Sequence, residues 1–159
     1  MVYTIILTPL WPAFTDAYTK KDYVWMNNMY KKMQKVYWLL CVMISTIVIL
    51  SPFIIKLWVG ERVSVPFILT ISIAVYTLIH CWDSLQVTLI NGTGKINLQS
   101  YVILIGLVLH IPLSLFLGNY IGILGVVASM SIINLIYACV FTIQIRKILN
   151  CTAIGIWNK

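Results

Sequence analysis

Charge is what this sequence has least of, and acidic charge is the scarcest. Of its 159 residues 9% are charged and four are Asp or Glu, whereas 61% are hydrophobic. The mean hydropathy is +0.96. Soluble domains carry charge on roughly a quarter of their residues, so the composition excludes an ordinary soluble domain. It also leaves no paired carboxylates and no nucleophile beside a base, and we therefore expect no enzyme activity.

A cysteine pattern is also lacking. The four cysteines are Cys41, Cys81, Cys139 and Cys151. They form no CxxC pair, and three of them fall inside apolar runs. Zinc sites and disulfide frameworks have recognisable spacings, so we expect these cysteines to be buried as small hydrophobic residues. Neither a metal site nor a cofactor is predicted.

What the chain has in abundance is apolar runs, with basic residues at their ends. The net charge is +7, but the 11 Lys and Arg residues form no patch of the kind that binds nucleic acid. We interpret them as topology signals and as contacts to the headgroups of membrane lipids. Nine of them fall on one side of the predicted topology: Lys20, Lys21, Lys31, Lys32, Lys35, Lys95, Arg146, Lys147 and Lys159. Because positive loops stay inside, that side is expected to be cytoplasmic.

The apolar runs predict four membrane spans. A spanning helix needs about 20 mostly apolar residues, and four runs of that length occupy residues 36–58, 63–90, 98–117 and 121–145. Turns are predicted at residues 60–62 and in the NGTGK stretch at 91–95. The sequence therefore predicts an all-α polytopic membrane helix bundle. Its four-helix transmembrane region covers residues 36–147, and a cytoplasmic tail covers residues 148–159.

Residues 1–35 are expected to precede these four spans. The apolar run at 2–14 is too short to cross a hydrocarbon core of about 30 Å, and it contains Pro9 and Pro12. It is therefore half of a span, or a re-entrant or interfacial piece. It has no basic n-region and no cleavage site, which excludes a signal peptide, and we expect it to be a truncated membrane helix. A cytoplasmic loop follows, and Asp22 is predicted to cap the next helix.

That next helix is amphipathic. Its apolar face repeats at steps of three and four residues, which is the spacing of one helix face. The residues of this face are Met26, Met29, Tyr30, Met33, Val36 and Tyr37. We expect the helix to lie in the membrane interface before the chain turns into the first span. A stripe of methionines and aromatic residues can also bind a partner, and this alternative stays open.

The second span carries a polar face, which we interpret as a candidate substrate path. At 100° per residue its polar side chains fall within an arc of about 140°. They are Tyr76, Thr77, His80, Asp83, Ser84 and Thr88. Such a face is costly against lipid chains, so it should look into the bundle or a wet cavity. His80 and Asp83 are close enough to form an ion-coupling pair, and the alternative is a local hydrogen bond that packs two helices.

The last two spans carry packing signals. His110, beside Pro112 in the third span, is expected to be packed or bonded to the backbone rather than to bind a ligand. Small residues at steps of four, three and four are predicted to form a groove on the fourth span, where another helix approaches closely. They are Gly118, Gly122, Gly125 and Ser129. Asn134, on a different face, is placed to bond across to a neighbouring helix.

Three stretches resemble one family of transporters. They are TPLWPAFTDAYTKKDYVWM at 8–26, NGTGKINLQ at 91–99 and AIGIWNK at 153–159. In order and spacing they are similar to segments from the C-terminal part of oligosaccharide-lipid flippases, which export precursors of polysaccharide or O-antigen. These flippases belong to the multidrug/oligosaccharidyl-lipid/polysaccharide exporter superfamily. The resemblance covers essentially the whole chain.

The resemblance implies a bacterial inner-membrane protein that moves an undecaprenyl-diphosphate-linked oligosaccharide to the outer leaflet by alternating access. Family members resemble two six-helix bundles around a central cavity, and this chain would correspond to the end of the second bundle, with the N-terminal bundle missing. Two other functions stay open. One is a multidrug or ion-coupled exporter of the same superfamily that relies on Asp83. The other is a non-transporting membrane fragment or assembly partner.

Overall fold

The computed structural model is all-α. It describes residues 2–59 and 65–158, apart from the side chains of Val2 and Val59. In these ranges the helices are α1 (Val2–Leu7), α2 (Leu10–Thr19), α3 (Tyr23–Val59), α4 (Phe67–Thr93), α5 (Asn97–Ile121), α6 (Ile123–Leu149) and a 3₁₀ helix (Gly155–Asn158). The same ranges contain no strand, so the predicted fold class is confirmed.

Four of the helices, α3 to α6, are long and apolar enough to cross a membrane, counted over the described residues. The chain is therefore a multi-pass membrane protein. Each predicted span corresponds to one of these helices, with ends that differ by a few residues except at the start of α3. The reversal predicted at residues 60–62 lies outside the described residues.

The predicted interfacial helix and the first span form one continuous helix, α3, of 37 residues. The chain therefore does not turn from the membrane surface into the span. Asp22 caps the start of α3 as predicted, because the backbone N–H of Trp25 donates to Asp22 Oδ1 at 2.9 Å. No glycine or proline interrupts α3 before Pro52. At about 1.5 Å per residue α3 is about 55 Å long, so its first turns extend beyond a hydrocarbon core of about 30 Å.

The short helices α1 and α2 form an N-terminal pair beside α3 and α4. The chain breaks between them at Pro9, which cannot donate a backbone hydrogen bond. α2 lies against the end of α4 at Gly92, where a Cβ would be 2.7 Å from Phe14 Cβ and 3.1 Å from the carbonyl oxygen of Trp11. The Phe14 ring also lies against Trp25 of α3, with ring centroids 5.6 Å apart. The glycine therefore lets α2 contact α3 and α4 together.

The core lies at one end of the helix bundle. We call it the lysine-rich end, because its turns and helix ends carry Lys20, Lys21, Lys31, Lys32, Lys35, Lys95, Arg146 and Lys147. Fully buried side chains of four helices meet there: Phe14, Met26, Leu85, Leu89, Ile90, Phe141 and Ile145. Burial decreases along α3 toward the other end, where Trp58 is 87% exposed. Lipid tails are as apolar as leucine and suit such faces.

Two side-chain hydrogen bonds connect α6 to neighbouring segments at the lysine-rich end. Gln144, which is fully buried, donates from Nε2 to the carbonyl of Lys95 at 2.8 Å. Asn27 of α3 donates from Nδ2 to the carbonyl of Leu149 at 3.4 Å. The turn between α4 and α5 is shorter than the predicted 91–95, since α4 continues through residue 93 and ends at Gly94, with φ of 72°. Glycine is the common residue at this position because it adopts positive φ without strain.

Gln144→Leu is expected to lower the free energy of unfolding by about 1–3 kcal/mol, because it leaves the carbonyl of Lys95 without its donor. Unfolding in SDS-containing mixed micelles measures the loss. Gln99→Leu is the matched control, since Oε1 of Gln99 accepts no hydrogen bond from the described residues. Equal losses in the two variants would contradict the role given to Gln144.

Candidate functional site

Glycines bring α5 and α6 together at two points. At Gly125 of α6 a Cβ would collide with the backbone of Leu117 in α5. At Gly106 of α5 it would collide with the ring of Tyr137, whose hydroxyl donates to the carbonyl of Ile103 at 3.3 Å. The absence of a side chain at these two positions therefore sets how closely α5 and α6 approach.

The four residues of the predicted small-residue groove do not share one face of the fourth span. Gly118 lies in α5, and Gly122, with φ of 64°, separates α5 from α6. The helical repeat does not continue across such a break, so residues spaced at steps of four, three and four do not lie on one face there. Gly125 and Ser129, both buried in α6, are the members that face α5.

A cleft of about 270 Å³ lies between α4, α5 and α6. Its lining residues are Tyr76, Ile103, Gly106, Leu107, His110, Met130, Ile133, Asn134 and Tyr137. We call it the polar cleft, because Tyr76 of α4, His110 of α5 and Asn134 of α6 bring polar groups to it. All three lie close to the midpoints of their helices. In a bilayer these midpoints fall near the midplane.

Hydrogen bonds of two histidines connect the three helices around the polar cleft. The ring of Tyr76 stacks on that of His80, with centroids 5.8 Å apart and 13° between the planes. Nδ1 of His80 lies 3.3 Å from Oδ1 of Asn134. Because an amide oxygen only accepts, Nδ1 carries the proton in this bond. In α5, Nε2 of His110 lies 3.4 Å from Oγ of Ser129, which links α5 to α6.

Helix packing brings only some of the predicted substrate-path residues of α4 to the polar cleft. Tyr76 lines the polar cleft and His80 adjoins it. The hydroxyls of Thr77, Ser84 and Thr88 each donate at 2.8 Å to a carbonyl of α4 itself, four residues earlier. Such local bonds satisfy a hydroxyl without a partner on another helix. These three residues therefore lie on the polar arc without contributing to the polar cleft.

Asp83 is buried beside the polar cleft and does not line it. It is 7% exposed, and its Oδ1 has no hydrogen-bond partner among the described residues. Tyr137 of α6 is close enough to interact with it electrostatically. The predicted pairing with His80 is absent from the described structure, because the His80 ring bonds to Asn134 instead. His80 therefore takes its hydrogen-bond partner from α6, and not from the next turn of α4 as the sequence predicts.

Two polar residues of the polar cleft are not predicted from the sequence as members of a site. His110 contacts Ser129, as a packed histidine would, and also lines the cleft. Tyr137 lies three residues after Asn134, on the same face of α6, and this spacing is the signal that points to it. Asn134 is predicted to bond across to a neighbouring helix, and its contact with His80 confirms this.

The polar cleft offers amide, imidazole and hydroxyl groups together with aromatic rings, which suits the binding of a polar ligand. Over the described ranges, no three His, Cys, Asp or Glu side chains are placed to hold a metal ion. Fold and cleft together define a multi-pass membrane helix bundle with polar groups inside it. Comparisons of the chain with protein-family models, with curated proteins and with solved structures found no match.

Proposed function

We propose that this chain is part of a membrane transporter, as the C-terminal portion of a flippase for lipid-linked oligosaccharide. The main support is the position of the polar cleft, since Tyr76, His110 and Asn134 lie near the midpoints of three spanning helices. Polar side chains at membrane depth are costly and typically mark a substrate or ion pathway. Transporters also hold their substrates near the bilayer midplane.

The proposed substrate follows from the family resemblance and from the chemistry of the surfaces. Tyr76 and Tyr137 bring aromatic rings to the polar cleft, and Asn134 and His110 bring hydrogen-bonding groups. These groups suit the hydroxyl-rich glycan of an undecaprenyl-diphosphate-linked oligosaccharide. The exposed apolar faces of α3 and α5 suit its lipid tail and the membrane lipids.

One cleft is a single wall, whereas a transport cavity needs two facing halves. The proposed transporter therefore includes a second helix bundle that faces the polar cleft. Its proposed location is the bacterial inner membrane, with the lysine-rich end in the cytoplasm. In this orientation the N-terminal segment, the turn between α4 and α5 and the C-terminus are cytoplasmic.

A second candidate function is an ion-coupled exporter, of multidrug substrates for example. The observation that favours it is Asp83, whose Oδ1 is buried and without a hydrogen-bond partner in the described structure. Ionisable residues inside membrane proteins mark ion and proton pathways by default. Under this proposal Asp83 takes up and releases the coupling ion while the polar cleft binds the exported molecule.

Complementation of a strain that lacks a polysaccharide-precursor flippase tests the first proposal. The chain, co-expressed with a fragment that supplies the first six-helix bundle, is expected to restore polysaccharide export. Asn134→Leu is expected to reduce the restored export about tenfold, because a lost hydrogen bond of about 1.4 kcal/mol corresponds to that factor. Thr77→Val is the matched control, since its hydroxyl bonds only to its own helix, and export should persist.

The amount of chain in the membrane fraction, measured by immunoblot, controls for failed insertion. No export at normal membrane levels would contradict the flippase and favour a non-transporting assembly partner. Equal export by Asn134→Leu and Thr77→Val would contradict the role of the polar cleft. Export of a drug in place of the glycan, lost in Asp83→Asn, would favour the second candidate.

A further inference from the structure

A pair of buried polar side chains at the lysine-rich end lacks hydrogen bonds. Gln86 of α4 is fully buried, and neither atom of its amide bonds to a described residue. Tyr30 of α3 is 5% exposed, and its hydroxyl likewise has no partner in the described part of the chain. Buried polar groups in proteins almost always have partners, because each group left unbonded costs about 1–3 kcal/mol. These groups therefore need a partner that the described residues do not supply.

Gln86 of α4 lies next to the Tyr30 hydroxyl of α3, so the two helices bring these polar groups together. The polar side chains next to the Tyr30 hydroxyl are Gln86, Arg146 and Gln34, although none of them completes a hydrogen bond to it. Buried polar groups without a direct partner are commonly bonded to water. A buried water makes about three hydrogen bonds. It can donate to a carbonyl oxygen and accept from an amide or a hydroxyl, as Gln86 and Tyr30 require.

These side chains extend from the lysine-rich end toward Asp83. At the lysine-rich end, Arg146 is exposed in the last turn of α6. Asp83 lies three residues before Gln86 and so about 4.5 Å away along α4. Oδ1 of Asp83 is also buried and unbonded in the described structure, and Tyr137 of α6 is close enough to interact with Asp83 electrostatically. Polar atoms without partners in the described structure thus follow one another from the lysine-rich end to Asp83.

We propose that Tyr30, Gln86 and Arg146 enclose a hydrated site through which water carries protons between the lysine-rich end and Asp83. A proton enters from bulk water, each water passes one on as it receives one, and the last O–H bond forms on the Asp83 carboxylate. The reverse sequence returns the proton to bulk water. His80 lies one turn away from Asp83 in the other direction. It is bonded to Asn134 and takes no part in the proposed proton path.

Exchange of the Asp83 carboxyl proton for deuterium measures the path directly. The full chain in lipid nanodiscs at acid pH is transferred to D₂O, and infrared spectroscopy follows the shift of the protonated carboxyl band, which the Asp83→Asn spectrum assigns. Gln86→Leu is expected to slow the exchange at least about tenfold, because an apolar side chain removes the groups that hold the water. Gln86→Ser, which is polar and leaves room for another water, should exchange like the wild type.

Two further variants keep the test decisive. Tyr30→Phe removes one hydroxyl from the same site and is expected to slow the exchange in the same direction, whether or not Gln86→Leu folds. Gln99→Leu is the matched control, because Gln99 lies on α5 and its Oε1 is also unbonded within the described chain, and its exchange should equal that of the wild type.

Exchange in Gln86→Leu and Tyr30→Phe as fast as in the wild type would overturn the proposal, because water would then reach Asp83 from elsewhere, such as the polar cleft. A wild-type carboxyl that does not exchange would overturn it equally. Neither result depends on which molecule is transported. Failure of this inference is therefore distinguishable from failure of the flippase in the complementation assay.

Discussion

Gly125→Ala is expected to lower the free energy of unfolding by about 3 kcal/mol, at the upper end of what overpacking usually costs. A Cβ at this position would overlap the carbonyl of Leu117 and lie 2.8 Å from the backbone nitrogen of Gly118. Backbone atoms of a helix cannot rotate away as a flexible side chain can. α5 and α6 must therefore separate along this contact, and the polar cleft between them should widen.

Unfolding of Gly125→Ala by SDS or by steric trapping in bicelles measures the loss. Gly118→Ala is the matched control, because the nearest heavy atom to a Cβ there is Cγ2 of Val126 at 3.4 Å, an ordinary contact. Alanine is also the better helix former, so the control is expected to stay within about 0.5 kcal/mol of the wild type. Equal destabilisation by the two variants would show that the contact at Gly125 does not set the spacing of α5 and α6.

Under the second candidate function, Asp83→Asn is expected to reduce proton-driven export to background while the helix bundle stays as stable as the wild type. Asparagine keeps the shape and hydrogen-bonding capacity of the side chain but cannot take up a proton. Because Oδ1 of Asp83 is buried and unbonded in the described structure, the neutral amide adds no cost of burying a charge. Export from vesicles under an imposed pH gradient, measured beside SDS unfolding, separates the two effects.

Asp16→Asn is the control for the Asp83 experiment. Asp16 is exposed and pairs with Nζ of Lys20 at 2.7 Å, and exposed ion pairs contribute about 1 kcal/mol or less. Its loss should therefore leave export and stability unchanged. Export at the wild-type rate by Asp83→Asn would remove Asp83 from any coupling role, and the second candidate function would lose its support.

The spans and their order can be predicted because hydrophobicity over about 20 residues is a local property. In lipid, a helix bonds all its own backbone groups, so an apolar run of that length has few other structures open to it. The prediction and the structure differ where one helix ends and the next element begins. α3 is continuous where a turn at the membrane surface is predicted, and α4 continues through Thr93 into the predicted NGTGK turn. Continuity at such joins depends on neighbours, among them Gln144 at the carbonyl of Lys95.

The candidate site is predictable in part. Helical spacing correctly places Tyr76 and His80 on one face of α4, but it cannot tell which members of that face meet another helix. Thr77 and Thr88 lie on the same polar arc, yet their hydroxyls bond to α4 itself. Asn134 decides which residue of this face contacts another helix, because it lies on α6 and bonds to His80. A single sequence contains no signal for the register between two such helices.

By itself, the sequence determines that this chain lies in a membrane, that its described residues form four helices long and apolar enough to cross it, and that one end carries most of the positive charge. Each of these depends on the residues along one helix and needs no knowledge of its neighbours. Only the tertiary structure decides that His110 and Asn134 share the polar cleft, and that Gln86 and Tyr30 are neighbours with no hydrogen-bond partner in the described structure. These are relations between helices. Their register depends on contacts such as those at Gly106 and Gly125, where backbone and ring atoms occupy the space a side chain would fill.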